Sequence, residues 1–144
     1  MQAFLVLCDN TQADTTTGKV HMLGANWSIV GPVVPPMGIV VFLRVPLEEA
    51  AVERSFTMKL TNSGGEPVTL DNGRPVQVEG KIGNLARAVT PEEDHLTRLT
   101  GLHGSIAINV APLPLATGAA YAWLFEVEGK ELASTTFAVR ASDA

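Results

Sequence analysis

The sequence predicts an all-β fold, a two-layer antiparallel β-sandwich of the Ig-like or jelly-roll-like kind with one short helix. Residues 118–140 carry the main signal, because Tyr121, Trp123, Phe125 and Val127 alternate with smaller or polar side chains. This period of two is typical of a strand with one buried face, and the alternation resumes after a turn to give a hairpin. A hairpin alone is marginally stable in water, so its aromatic face requires a second layer of strands.

Short apolar stretches separated by turn residues recur along the rest of the chain, as in a sandwich. Strands are predicted at residues 2–8, 19–23, 26–30, 37–45, 55–61, 68–70, 76–78 and 103–110. Because both alternating sets of residues 2–8 are apolar, we expect this strand to be central and covered on both faces. Residues 10–18 are rich in Thr, Asp and Asn and are expected to form a solvated loop.

Residues 37–45 form the most apolar of the predicted strands. The odd-numbered side chains after Met37 are all aliphatic, whereas the other face carries Gly38, Val40, Phe42 and Arg44. We expect the odd-numbered face to point inward, since the arginine marks the outward face. Residues 55–61 alternate apolar and polar side chains, which predicts a half-exposed antiparallel strand.

Local chemistry predicts the later turns and the helix. Asp71-Asn72-Gly73 is a strong hairpin signal, and Pro75 limits the returning strand to the edge of a sheet. Thr90 followed by a proline and by Glu93 supplies an N-cap, a first helical residue and a capping-box carboxylate. One short helix is therefore predicted over residues 91–100.

Length and composition exclude several classes of function. With 144 residues, the chain is expected to form a single domain over residues 1–144. Ten Lys and Arg against fifteen Asp and Glu give a net charge of −5, so we expect no nucleic acid partner. No apolar run reaches the ~20 residues of a membrane span, and residues 1–7 lack the basic start of an export signal, so no membrane partner is expected.

No residue pattern typical of an enzyme is found in the sequence, and we expect no catalytic residues, no cofactor and no metal. The three histidines lack metal-ligand spacing. The single cysteine, Cys8, excludes an internal disulfide and is interpreted as a small buried hydrophobe. Asp9 and Asp14 raise the alternative of a calcium loop, but the EF-hand spacing is absent and a solvated loop is favoured.

Strand and turn residues toward both ends of the chain form a recognisable pattern. They are Leu7-Cys8-Asp9, Gly18-Lys19, Leu23-Gly24, Trp27, Val30-Gly31-Pro32, Pro36-Met37, Val45-Pro46, Gly118, Tyr121 and Trp123. This pattern resembles a family of small uncharacterised all-β proteins found in actinobacteria and their phages. The resemblance implies a compact β-sandwich and a phage setting, and it brings no known catalytic site.

The outward face of residues 37–45 is more apolar than a two-layer sandwich requires. Val40 and Phe42 have no obvious cover in so short a chain, and Arg44 lies beside them. Two explanations are equally supported: a loop such as residues 33–36 or the helix at 91–100 lies across this face, or another molecule covers it. Val40, Phe42 and Arg44 are therefore a candidate interface, for self-association or for another structural protein such as a capsid shell.

Two functions fit these features. The first is a non-catalytic structural or assembly protein, most concretely a phage virion component such as a capsid decoration protein, assembled in the bacterial cytoplasm. Strands that are apolar on both faces and the lack of catalytic motifs favour it. The alternative is a bacterial cytoplasmic β-sandwich module that binds a small ligand or a peptide near Trp27, an analogy with other sandwiches.

Overall fold

Ten β-strands make up about half of the computed structural model, which describes residues 1–143. The strands are β1 (Gln2–Cys8), β2 (Asn10–Ala13), β3 (Val20–Leu23), β4 (Ile29–Val30), β5 (Met37–Val45), β6 (Arg54–Asn62), β7 (Gln77–Ile82), β8 (Leu102–Val110), β9 (Ala119–Val127) and β10 (Lys130–Val139). The helical segments are α1 (Asp94–Thr100) and two 3-10 turns at Leu47–Glu49 and Leu85–Ala88. Among the described residues, no helix is both long and apolar enough to cross a membrane.

The strands form two sheets and a separate hairpin. The larger sheet has the order β4-β10-β9-β6-β7, the smaller has the order β1-β5-β8, and β2 pairs with β3. Within these ten strands, every pairing is antiparallel except that of the two-residue strand β4 with β10. The predicted all-β sandwich is confirmed, with one short parallel pair at the edge of the larger sheet.

A single core cluster joins the inner faces of the two sheets. Ile39 of β5 and Met58, Trp123 and Phe125 of the larger sheet are all buried in it. The Trp123 indole Nε1 donates a hydrogen bond to the sulfur of Met37 at 3.2 Å, which links the two sheets. The predicted inward face of β9 is confirmed, because its alternate residues from Tyr121 onward are buried.

β1 is an edge strand of the smaller sheet, so the prediction that residues 2–8 form a central strand is wrong. One face of β1 packs on the core through Leu5 and Leu7. On the other face Cys8 is fully buried, whereas Phe4 is 53% exposed. The apolar composition of residues 2–8 suggested cover on both faces of the whole strand. The outer face is covered at one end only, by the β2–β3 hairpin, which the sequence did not predict.

Other boundaries also differ from the predicted ones. The predicted strand at 68–70 is reduced to an isolated bridge between Thr69 and Pro75. Residues 10–13 form strand β2 instead of a loop. The predicted strand at 26–30 is reduced to β4, since Asn26 has a φ of 73°, which is incompatible with an extended strand. The helix begins at Asp94, because the preceding residues form a turn in which the Glu93 amide donates to the carbonyl of Thr90 at 3.0 Å.

Replacing Trp123 tests the packing of the two sheets. Trp123→Ala removes a side chain that is 1% exposed and the bond to Met37. We expect the free energy of unfolding to fall by about 3–5 kcal/mol, the usual cost of deleting a buried large aromatic. Chemical denaturation measures this loss, with Leu124→Ala on the opposite face of β9 as the control. A loss for Trp123→Ala no greater than that of the control would contradict the inward assignment.

Candidate functional site

The outer face of the smaller sheet carries the predicted interface residues. Antiparallel pairing of β1, β5 and β8 arranges the outward side chains in four rows across the three strands. In order along the sheet, the rows are Cys8-Gly38-Asn109, Val6-Val40-Ala107, Phe4-Phe42-Ser105 and Gln2-Arg44-His103. The three predicted site residues therefore lie in three successive rows.

The β2–β3 hairpin is attached to the first of these rows by the Asn109 side chain. The Thr11 amide donates to Asn109 Oδ1 at 3.1 Å, and Asn109 Nδ2 donates to the Thr11 carbonyl at 2.9 Å. Thr11 Oγ1 donates in turn to the His21 carbonyl of β3 at 3.1 Å. The Asn109 amide thus pairs with Thr11 as a neighbouring strand backbone would, and it holds the hairpin on the outer face.

Close packing under the hairpin depends on Gly38. A β-carbon at this position would lie 2.6 Å from the sulfur of Cys8 and 3.2 Å from the Thr11 amide nitrogen. Any larger residue would therefore push the hairpin or β1 away from the sheet. With glycine there, Cys8 and Val40 are both 0% exposed.

Val40 is therefore covered within the chain, which corrects the expectation that it lacks cover. The cover is the β2–β3 hairpin, which packs on β5 and β8. It is neither of the two segments suggested by the sequence. Val34, in the predicted covering loop, is buried in the core cluster, and α1 lies at the end of the sheet beside Arg44.

The other half of the outer face is open to solvent. Phe4 and Phe42 are cross-strand partners, and Phe4 is the more exposed of the two, while Phe42 is half-buried. A groove of about 370 Å³ beside Phe42 separates the sheet from Lys19 and Val20 at the start of β3. An exposed aromatic pair beside a groove is an arrangement typical of protein interfaces.

Arg44 and His103 complete this open surface. Arg44 donates from Nη1 to the Leu43 carbonyl at 3.2 Å, and it takes part in none of the ion pairs found among residues 1–143. It lines the groove beside Phe42 and a second groove of about 480 Å³ that reaches Leu99 of α1. We call Phe4, Phe42, Arg44 and His103 the open patch. It combines aromatic side chains with a half-buried arginine, residue types that are enriched at protein interfaces.

Phe4 is the site residue that the sequence did not identify. Its alternation with Val6 and Cys8 placed it on one face of β1, but not beside Phe42. That neighbourhood depends on the register of β1 against β5, two strands joined by a long and irregular connection. The register could not be read from local patterns, because no short turn fixes it.

Cys8 is an unreactive position in this structure. Its sulfur donates to the Asn10 carbonyl at 3.3 Å, and burial raises the pKa of the thiol above its usual value. A thiol held in its protonated form is a poor nucleophile and a poor metal ligand. The interpretation of Cys8 as a small buried hydrophobe is confirmed.

The carboxylates of the predicted loop make local hydrogen bonds. Asp9 Oδ1 accepts from the Trp27 indole at 2.8 Å, and Asp14 Oδ1 accepts from the amides of Thr16 and Thr17 at 2.9 and 3.3 Å. The bonds from Thr16 and Thr17 lower the pKa of Asp14. No group of three or more His, Cys, Asp or Glu side chains placed to share a metal ion is found in the described part of the chain.

Comparison with models of known protein families gives a match. The model of a family of unknown function, DUF6941, matches residues 3–140. The chain belongs to this family. The DUF6941 match includes the middle of the chain, so it extends beyond the terminal stretches that carry the sequence resemblance. The matched region contains the whole outer face of the smaller sheet, from Phe4 to Asn109. Searches among curated proteins and among solved structures found no match.

Replacing Asn109 tests how the β2–β3 hairpin is held on the outer face of the smaller sheet. Asn109→Ala removes both hydrogen bonds to Thr11, and we expect the free energy of unfolding to fall by about 1–3 kcal/mol. Because Cys8 lies beneath the hairpin, its alkylation at neutral pH should also become faster, and amide exchange in β2 should accelerate. Gln77→Ala is the matched control, since Gln77 Nε2 bonds to the Glu79 carboxylate on the surface. Unchanged alkylation and exchange in Asn109→Ala would contradict the role assigned to Asn109.

Proposed function

We propose that the chain is a non-catalytic structural or assembly protein that binds through the open patch, either to another copy or to a structural protein such as a capsid shell. The observation that carries this proposal is the 53% exposure of Phe4 beside Phe42. Fully burying a Phe side chain contributes about 1.5–3 kcal/mol, a large share of the stability of a small domain. A partner that covers both rings would recover this free energy.

The outer face of the larger sheet provides a contrast within the same molecule. Its strands β6 and β9 present Thr57, Lys59 and Glu126 outward, and Lys59 Nζ lies 2.6 Å from Glu126 Oε1. This part of the outer face is thus polar and ion-paired, as expected for the wet side of an antiparallel sheet. The open patch departs from that pattern, and this difference supports its use as a binding surface.

A phage virion is the most concrete setting for this function. The protein would act there as a capsid decoration protein, assembled in the bacterial cytoplasm and carried on the particle. Two features support this setting: the resemblance of the terminal stretches to proteins of actinobacteria and their phages, and a small sandwich whose smaller sheet presents an aromatic pair on its outer face. The alternative of a cytoplasmic module that binds a small ligand near Trp27 gains no support, because the Trp27 indole is bonded to Asp9 and packs edge-on against Phe137.

Charge substitution in the open patch tests the proposal. Phe4→Asp and Phe42→Asp should each weaken self-association or particle binding about tenfold or more, the effect of losing at least 1.4 kcal/mol of burial. Sedimentation velocity over a concentration series and cosedimentation with phage particles measure the two kinds of binding. Val52→Asp is the matched control, since Val52 is 59% exposed and lies outside the patch.

Two results would contradict the proposal. One is a wild-type protein that neither associates at high concentration nor binds particles. The other is a Phe4→Asp variant that binds as well as the wild type. Because Phe4 is the more exposed ring, its variant keeps the test valid even if Phe42→Asp unfolds. An unfolded Phe42→Asp would assign Phe42 to the core.

A further inference from the structure

The free edge of the smaller sheet is formed by β8. This strand is last in the order β1-β5-β8, and its nine residues pair with β5 without a register shift. Within the described residues, 102–110 make no backbone hydrogen bond apart from those with β5. The N–H and C=O groups that point away from β5 are therefore available to another strand.

The edges of the larger sheet carry features that oppose pairing, and β1, which is also uncharged, is occupied at one end by the segment that follows β3. β7 follows Pro75 and presents Glu79 and Lys81, and β4 is only two residues long. On β1, the Leu7 carbonyl already accepts from the Asn26 amide at 3.0 Å. Charged side chains, proline, short length and local cover are the usual ways in which proteins keep sheet edges from associating.

β8 has fewer of these protections. Among residues 1–143, the β2–β3 hairpin and the 3-10 turn at Leu85–Ala88 contact β8 but make no hydrogen bond with its backbone. Its sequence, LHGSIAINV, contains no Lys, Arg, Asp, Glu or Pro. Its inward side chains Ile106 and Ile108 pack on the core cluster but remain half-buried, so the core is partly open along this edge. A strand added beside β8 would bury more of both isoleucines and satisfy the free backbone groups.

The residues of β8 are complementary to a second, antiparallel copy of β8. A two-fold axis at Ile106 overlaps all nine residues and keeps inward side chains opposite inward ones. The cross-strand pairs are Leu102 with Val110, His103 with Asn109, Gly104 with Ile108, Ser105 with Ala107, and Ile106 with itself. Every pair is apolar, small or capable of hydrogen bonding, and no like charges face each other.

We propose that two copies of the chain associate edge to edge through β8. The dimer contains a continuous six-stranded sheet with the order β1-β5-β8-β8-β5-β1. The axis is perpendicular to this sheet, so the two open patches lie on the same side of the dimer. This edge shares only His103 with the open patch, and its pairing goes beyond the proposed function instead of depending on it.

A charge-reversal pair on β8 tests the dimer and its register. In the proposed dimer, Ser105 of each copy lies opposite Ala107 of the other. Ser105→Lys combined with Ala107→Lys places like charges opposite each other at two symmetric sites, and it should weaken dimerisation tenfold or more. Ser105→Lys combined with Ala107→Glu places opposite charges there and should restore a dimer close to wild-type strength. Sedimentation equilibrium measures the dissociation constants, and circular dichroism checks that both variants fold.

Wild-type protein supplies a test that needs no variant. Amide exchange in residues 102–110 should slow as the protein concentration rises, while exchange in β7 should stay unchanged. A wild type that remains monomeric at about 1 mM, where even weak dimers form, would overturn the proposal. A dimer that both charge pairs leave unchanged, with no protection of 102–110, would overturn it as well.

The outcomes also separate this proposal from the proposed function. If β8 forms the dimer, Phe4→Asp leaves the dimer intact and affects only binding through the open patch. If Phe4→Asp abolishes the dimer and the two lysines on β8 do not, the dimer is built on the open patch. That result would overturn the β8 interface and support the proposed function.

Discussion

The need to cover β5 on both faces governs the rest of the structure. One face packs against the larger sheet, where Trp123 bonds to the sulfur of Met37. The other face lacks a second sheet, and the β2–β3 hairpin covers it at one end only, held through Asn109. The close packing at Gly38 and the exposure of Phe4 both follow from this partial cover.

On the outer face of the smaller sheet, side chains change from buried to exposed between the row of Val40 and the row of Phe42. Val40 is completely buried, whereas Phe4 in the next row is more than half exposed. Folding alone would be served by polar side chains on the open rows, as on the outer face of the larger sheet. Aromatic rings at Phe4 and Phe42, with Arg44 beside them, are instead suited to a partner. The same sheet ends in β8, an edge strand without charges. The smaller sheet therefore offers two surfaces for assembly, the open patch and the β8 edge.

Local patterns were sufficient for the long strands and insufficient for the neighbours of each strand. β5 and β9 could be predicted because their alternation is strong and lies within one segment. The covering hairpin could not, because its attachment joins Thr11 to Asn109, 98 residues apart, through polar side chains that resemble a loop. For the same reason the sequence could not separate the three candidate interface residues: Phe42 and Arg44 lie on the open half, while Val40 lies beneath the hairpin.

Hydroxyl-radical footprinting at low and high protein concentration, and with phage particles added, tests the use of the open patch most directly. Labelling of Phe4 and Phe42 should fall in the associated state, because a partner covers both rings. Labelling of Leu23 and Val33, which are exposed elsewhere on the surface, should stay the same. If association occurs and Phe4 remains as reactive as in the free protein, the open patch is not the binding surface.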